Sequence, residues 1–136
     1  MSPAQVTVNV DGGSRGNPGP AAIAAVIRGP DGAVLEEAGE AIGTATNNVA
    51  EYRALLLGIE RAREHGADEV KLLGDSELVV RQVQGRYKVK DANLRVYHSK
   101  VREALRGLPS WSIDHVRREQ NADADRIVNE VLDGLR

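Results

Sequence analysis

Residues 5–28 read QVTVNVDGGSRGNPGPAAIAAVIR, and their patterning decides the fold class. From Gln5 to Val10 polar and apolar residues alternate, with Val6, Val8 and Val10 on one face. A period of two is the pattern of a β-strand. The segment DGGSRGNPGP, residues 11–20, holds four glycines and two prolines and reads as a turn. Ala21 to Arg28 is almost wholly apolar, as expected of a strand covered on both faces. Pro30-Asp31-Gly32 reads as another turn and Ala33 to Ile42 as a third strand. Three strands with short connections predict an antiparallel meander.

Beyond it the periodicity changes. From Asn48 to about His65 the residues Tyr52, Leu55, Leu56, Ile59 and Ala62 recur at helical spacing, with Gly66 as a C-terminal stop. Val70 to Gly74 reads as a buried strand, and Leu78, Val79, Val80 and Val83 mark a helix ending near Gly85. Leu94, Tyr97, Val101, Ala104, Leu105 and Leu108 mark a second, closed by Gly107 and Pro109. Trp111 to Arg117 alternates as a strand, and Ile127, Val128, Val131, Leu132 and Leu135 form a last amphipathic helix. The order βββ–α–β–α–α–β–α implies an α/β protein whose mixed sheet is covered by helices.

A chain of 136 residues without repeats or linkers fits a single domain, 1–136, able to bury an aliphatic core. The absence of cysteine excludes disulfides, thiolate metal sites and a cysteine nucleophile. A net charge of −2 argues against a surface that is cationic throughout, yet leaves room for local basic patches. The N-terminus MSPAQVTVNV lacks a basic region followed by an apolar run, so no secretory signal is read. No run of about 18 apolar residues occurs, so no membrane association is expected. These features predict a soluble, cytoplasmic monomer with no obligate protein partner.

Four carboxylates stand out, each with a plain alternative. Asp11 opens the glycine-rich segment and could be a turn former. Glu51 would be the third residue of the long helix if Asn48 caps it, an ordinary capping-box acid. Asp75 ends the buried strand; it could cap the next helix, although open α/β sheets also place ligands at such strand ends. Asp125, with Asp123 as its rival, could simply favour the dipole of the last helix. All four fall at element ends beside turn-forming residues. If those ends converge, repulsion would raise the carboxyl pKa values unless cations compensate. Oxygen ligands without sulfur suit Mg²⁺ or Mn²⁺ better than zinc.

The motifs DGGSRGNPGPAAIAAVI (11–27), TNNVAEYRALLLGI (46–59), GDSELVVRQV (74–83) and REQNADAD (118–125) resemble those of type 1 ribonuclease H, in family order and over essentially the whole chain. The resemblance implies a ribonuclease H-like fold, a five-stranded mixed sheet of order 3-2-1-4-5 flanked by about four helices. It implies an endonuclease hydrolysing the RNA strand of an RNA–DNA hybrid with two Mg²⁺ ions, leaving 5′-phosphate and 3′-hydroxyl ends. Asp11 would bridge both ions, Asp125 would hold the one activating water, and Glu51 and Asp75 the one near the leaving group. Backbone amides of Gly12, Gly13 and Ser14 would approach the RNA strand, where side chains at the glycines would intrude. Asn47 and Asn48 would lie in the minor groove, and Thr46 at a DNA phosphate. Such contacts read backbone and shape more than sequence.

Two departures from the family pattern accompany the match. The loop histidine carried by many members is missing from Arg118–Asn121, and His115 falls inside a predicted strand, where it has a structural role. The basic handle of longer members is absent too, although Arg81, Arg86, Lys88, Lys90 and Arg95 form a local basic run. The run could meet the DNA strand or be a solvated face. The rival functions are a non-catalytic nucleic-acid-binding module and a DNA-directed nuclease on the same fold. A dinucleotide-binding reading of the glycines fails, because they precede AAIAAVI, a strand, where that motif needs a helix.

Overall fold

The computed structural model describes residues 4–136; residues 1–3, the start of the stretch read for a secretory signal, lie outside the described residues. The strands are β1 (Gln5–Ser14), β2 (Gly19–Arg28), β3 (Val34–Ala45), β4 (Glu69–Gly74) and β5 (Ser110–His115). The helices are α1 (Asn47–Glu64), α2 (Glu77–Val83), α3 (Ala92–Arg106) and α4 (Ala122–Leu132), the last preceded by a 3₁₀ turn, Arg118–Asn121. The sheet order is β3-β2-β1-β4-β5, as the resemblance implies. β1, β2 and β3 pair antiparallel, whereas β4 runs parallel to both β1 and β5. No helix among the described residues is long and apolar enough to cross a membrane.

The first strand corrects the sequence reading. β1 does not stop at Val10: Asp11, Gly12, Gly13 and Ser14 continue it opposite Ala24, Ile23, Ala22 and Ala21. Asp11 therefore lies within a strand rather than at its end. Local composition showed turn chemistry, but the ladder offered by β2 overrides it.

β2 hides its own period of two, because both of its faces are buried. Ala21, Ile23, Ala25 and Ile27 join Val6, Val8 and Val10 in a core beneath α1 and α3. Ala22, Ala24 and Val26 meet Ala124, Ile127 and Val128 of α4 on the other face. α1 lies very close to β1 because at two points of contact one of the surfaces lacks a side chain. A Cβ at Gly12 would stand 2.3 Å from the Ala50 carbonyl, and one at Gly58 would stand 2.7 Å from Val10 Cγ1. Glycine at these two positions is what permits the approach.

The cap of α1 lies two residues earlier than Asn48. Thr46, with extended backbone, is the N-cap, and its hydroxyl accepts from the Val49 N–H at 3.2 Å. Asn48 is thus the second helical residue, and Glu51 lies beyond the capping-box position. At the sheet edge, adjacent residues of β3 are tied to opposite layers. Glu36 accepts from Arg61 of α1 and contacts His65, each at 2.9 Å, while Glu37 accepts from Arg126 of α4 at 2.8 Å. Only residues 84–91 separate α2 from α3, so the described chain has no helical handle there.

Candidate active site

The site forms where two parallel strands part. The β1–β4 register ends at Val10 opposite Gly74, and the next residue on each side is an aspartate, Asp11 within β1 and Asp75 just after β4. Two carboxylates therefore emerge side by side where β4 ends and β1 continues along β2 alone. This is the topological switch of the sheet, where β1 has an antiparallel neighbour on one side and a parallel one on the other. Asp75 is free of the capping duty considered above, because Ser76 caps α2 through its hydroxyl and the Val79 N–H.

α1 adds the third carboxylate. Glu51 is buried, and its Oε1 accepts from the Gly12 N–H at 2.5 Å, a contact that the missing side chain at Gly12 allows. Asp11, Glu51 and Asp75 offer oxygens that all lie within 4.8 Å of one another. Burial, then the charge of Asp75, raises the Asp11 pKa from 3.8 to about 7. Burial, then Asp11, holds the Glu51 carboxyl well above its ordinary range. With Asp11 and Glu51 resisting ionisation inside the cluster, a cation bound there would relieve both desolvation and repulsion. The all-oxygen donor set suits a hard divalent ion.

Asp125 reaches the same place from α4. It lines an open cavity of about 410 Å³ with the other three acids, and its charge also raises the Asp11 pKa. It stands outside the close group of three, with one oxygen 3.7 Å from the exposed Arg118 guanidinium. Asp123 is instead paired with Arg28 and does not line the cavity. In the last motif, Asp125 is therefore the acid that joins the cavity.

The expected substrate residues divide. Gly12, Gly13, Ser14 and Asn47 line the cavity, whereas Thr46 and Asn48 do not. The steric need for glycine belongs to Gly12 and is set by α1; a Cβ at Gly13 would make only an ordinary 3.6 Å contact with Val128. The Gly12 N–H is taken by Glu51, and the Ser14 N–H donates to Asn47 Oδ1 at 3.3 Å. Asn47 is in turn fixed by its own N–H donating to Asn17 Oδ1 at 3.0 Å. His115 stands 4.0 Å from Glu77 and does not line the cavity. In the basic run, Arg86, Lys88, Lys90 and Arg95 are exposed, while Arg81 is half-buried and donates to Gln84. Sequence reasoning passed over Asn9 and Asn121, buried polar residues beside the cluster. The parity of β1 carried a signal, since Asn9 shares its face with Asp11.

Comparison with known proteins gives a consistent set of relatives. A family model described as reverse transcriptase-like matches residues 9–131. Ribonuclease HI of Halobacterium salinarum is 48% identical over 123 residues, covering 90% of this chain and 62% of that protein. A bifunctional protein of Mycobacterium tuberculosis is 44% identical over 130 residues, covering 95% of this chain but 36% of its own length. The chain thus spans less than two thirds of either relative. The crystal structure of RNase H1 from Halobacterium salinarum superposes with a TM-score of 0.94 at 46% identity, covering 96% of this chain and 98% of that one. LC11-RNase H1 in complex with an RNA/DNA hybrid superposes with a TM-score of 0.90 at 43% identity, covering 95% and 97%.

Proposed function

The chain belongs to the type 1 ribonuclease H family, and from that premise we propose that it is an endoribonuclease hydrolysing the RNA strand of RNA–DNA hybrids. The observation that carries the reading is the convergence of Asp11, Glu51 and Asp75 within 4.8 Å in a cavity also lined by Asp125. We read residues 1–136 as one domain, acting as a cytoplasmic monomer. The four carboxylates would hold two Mg²⁺ ions, with Mn²⁺ as a substitute. When bound, such a pair activates water and stabilises the attacking and leaving oxygens of an in-line phosphodiester displacement, giving 5′-phosphate and 3′-hydroxyl ends.

The chain's own groups supply position. Glu51 is held on the Gly12 amide and so presents its carboxylate at a fixed place. Gly12 therefore serves by admitting α1, while Gly13 and Ser14 line the path of the RNA strand. The Thr46 hydroxyl accepts its capping bond and keeps its own proton for a DNA phosphate. Asn47 uses its carbonyl oxygen on Ser14 and keeps its amide donors, and Asn48 lies one helical step away for the minor groove. The complex of LC11-RNase H1 with an RNA/DNA hybrid supports a hybrid as the substrate.

Incubation of a labelled hybrid, DNA duplex, RNA duplex and single-stranded RNA with Mg²⁺, Mn²⁺ or chelator tests the proposal. Cleavage confined to the hybrid's RNA strand and abolished by chelator is the expected result. An intact hybrid in Mg²⁺ and Mn²⁺, or cleavage that survives chelation, overturns it.

A further inference from the structure

We propose that Asn121 is a positioning residue that sets where Asp125 stands relative to Asp11, and thereby the affinity of the acidic cluster for divalent cations. The inference rests on the reading of that cluster as a metal centre. Asn121 is 1% exposed and sits at the junction of the 3₁₀ turn with α4. Its Nδ2 donates to the Val10 carbonyl at 2.8 Å, and its Oδ1 accepts from Asn9 Nδ2 at 3.0 Å. Both ends of the amide are thus fastened to β1, at the two residues immediately before Asp11. Asn121 is the N-cap of α4, and Asp125 follows four residues later in the first turn of the helix, about 6 Å along at helical rise. One buried side chain therefore links the strand that presents Asp11 to the helix that presents Asp125.

The other directional ties between α4 and the sheet, the ion pairs Asp123–Arg28 and Arg126–Glu37, are partly exposed, whereas the Asn121 amide is buried. The helix meets the sheet through Ala124, Ile127 and Val128 against Ala22, Ala24 and Val26, and apolar contacts of that kind resist separation more than sliding. The exposed Arg118 offers Asp125 a competing partner at 3.7 Å, outside the close triad. A buried amide that loses its partners is costly, so the pair Asn9–Asn121 holds its geometry firmly. Removing it frees α4 to shift and Asp125 to turn toward Arg118.

The test measures Mg²⁺ binding by the rise in melting temperature on titration with MgCl₂, beside hybrid cleavage as a function of Mg²⁺. Asn121→Ala is expected to raise the Mg²⁺ needed for half-effect about tenfold in both measurements, with cleavage recovering at high Mg²⁺. Leu105→Ala, in the core under α3, serves as a control; it should lower the melting temperature without moving the Mg²⁺ requirement. In an Asp125→Asn background, Asn121→Ala should add little, because its effect runs through Asp125. Should Asn121→Ala not fold, Asn9→Ala removes one of the two bonds and carries the same comparison. An unchanged Mg²⁺ requirement, an equal rise in Leu105→Ala, or full additivity with Asp125→Asn overturns the proposal. Because the thermal titration needs no nucleic acid, failure of the wild-type protein to cut hybrid would sink the functional reading and leave this test intact.

Discussion

The two faces of the sheet are covered unequally. Under α1 and α3 lies a deep aliphatic core that runs from Val6 and Ile27 to Leu105 and Ile113. Under α4 lies a thin layer of small side chains, Ala22, Ala24 and Val26 against Ala124, Ile127 and Val128. The acids differ in what carries them. Asp11 and Asp75 come from the sheet itself, at β1 and just after β4, Glu51 comes from α1 on the deep side, and the oxygens of these three cluster. Asp125 comes from the helix on the thin side and stands apart from them. Three carboxylates are thus built into a close-packed frame, while the fourth rides on a helix whose seating is lighter. Dense interiors have few alternative arrangements, so the division separates a fixed part of the site from an adjustable one.

Substitution of the acids is the strongest way to break that contrast. Asp11→Asn, Glu51→Gln or Asp75→Asn should each lower Mg²⁺-dependent hybrid cleavage about a thousandfold or more, the scale of several kcal/mol of lost charge stabilisation. Asp125→Asn should cost about tenfold to a hundredfold, because a neutral oxygen ligand remains on the adjustable helix. Steady-state cleavage assays on folded protein check this; equal losses at all four positions would erase the distinction between fixed and adjustable parts.

The next effect is on stability and concerns the frame alone. In the metal-free protein the Asp11 pKa is raised from 3.8 to about 7 by burial and by Asp75. Below pH 3.8 the carboxyl is protonated in both folded and unfolded chains and no penalty exists. Between pH 3.8 and about 7 the unfolded chain releases the proton while the folded one retains it, so stability falls as pH rises, on the order of a few kcal/mol in total. Thermal melts without metal should therefore show a declining melting temperature across that window. Asp11→Asn should flatten the decline, and Mg²⁺ should stabilise more at pH 8 than at pH 5. A metal-free melting temperature that ignores both pH and Asp11→Asn would show that the cluster stores no such repulsion.

The smallest effect lies on the outer surface of α4. Asp123 pairs with Arg28 in a largely exposed ion pair, so Asp123→Asn should cost less than about 1 kcal/mol by denaturant unfolding and leave cleavage unchanged. A larger loss of activity from Asp123→Asn than from Asp125→Asn would mean that the light layer presents a different residue to the metal than the geometry shows.

Element types were legible wherever one periodicity ran uninterrupted, as in α1, α3 and the alternation of β5. The failures were at places where local chemistry points one way and a distant partner another. Residues 11–14 carry turn formers, but β2 draws them into the ladder. Thr46, Asn47 and Asn48 can all cap a helix, and only the extended backbone at Thr46 selects it. That shift of two residues removed the capping-box explanation for Glu51. The identities of the four acids were readable through the family motifs, but spacing alone could not bring them together. Their meeting depends on the β1–β4 register, which aligns Val10 with Gly74. Asn121 was illegible because it sits in REQNADAD, a stretch that reads as solvent-facing until α4 docks and buries it.

The neighbouring glutamates of β3 have a consequence for the protein in crowded solution. An open edge strand invites another chain to add itself by backbone pairing, the first step toward aggregates. On β3, Glu36 is pinned by Arg61 and His65 above the sheet and Glu37 by Arg126 below it, and both side chains stay partly solvated. An incoming strand would have to desolvate both of these ion pairs to dock beside them. At the β3 edge the sheet thus carries its own guard against further growth.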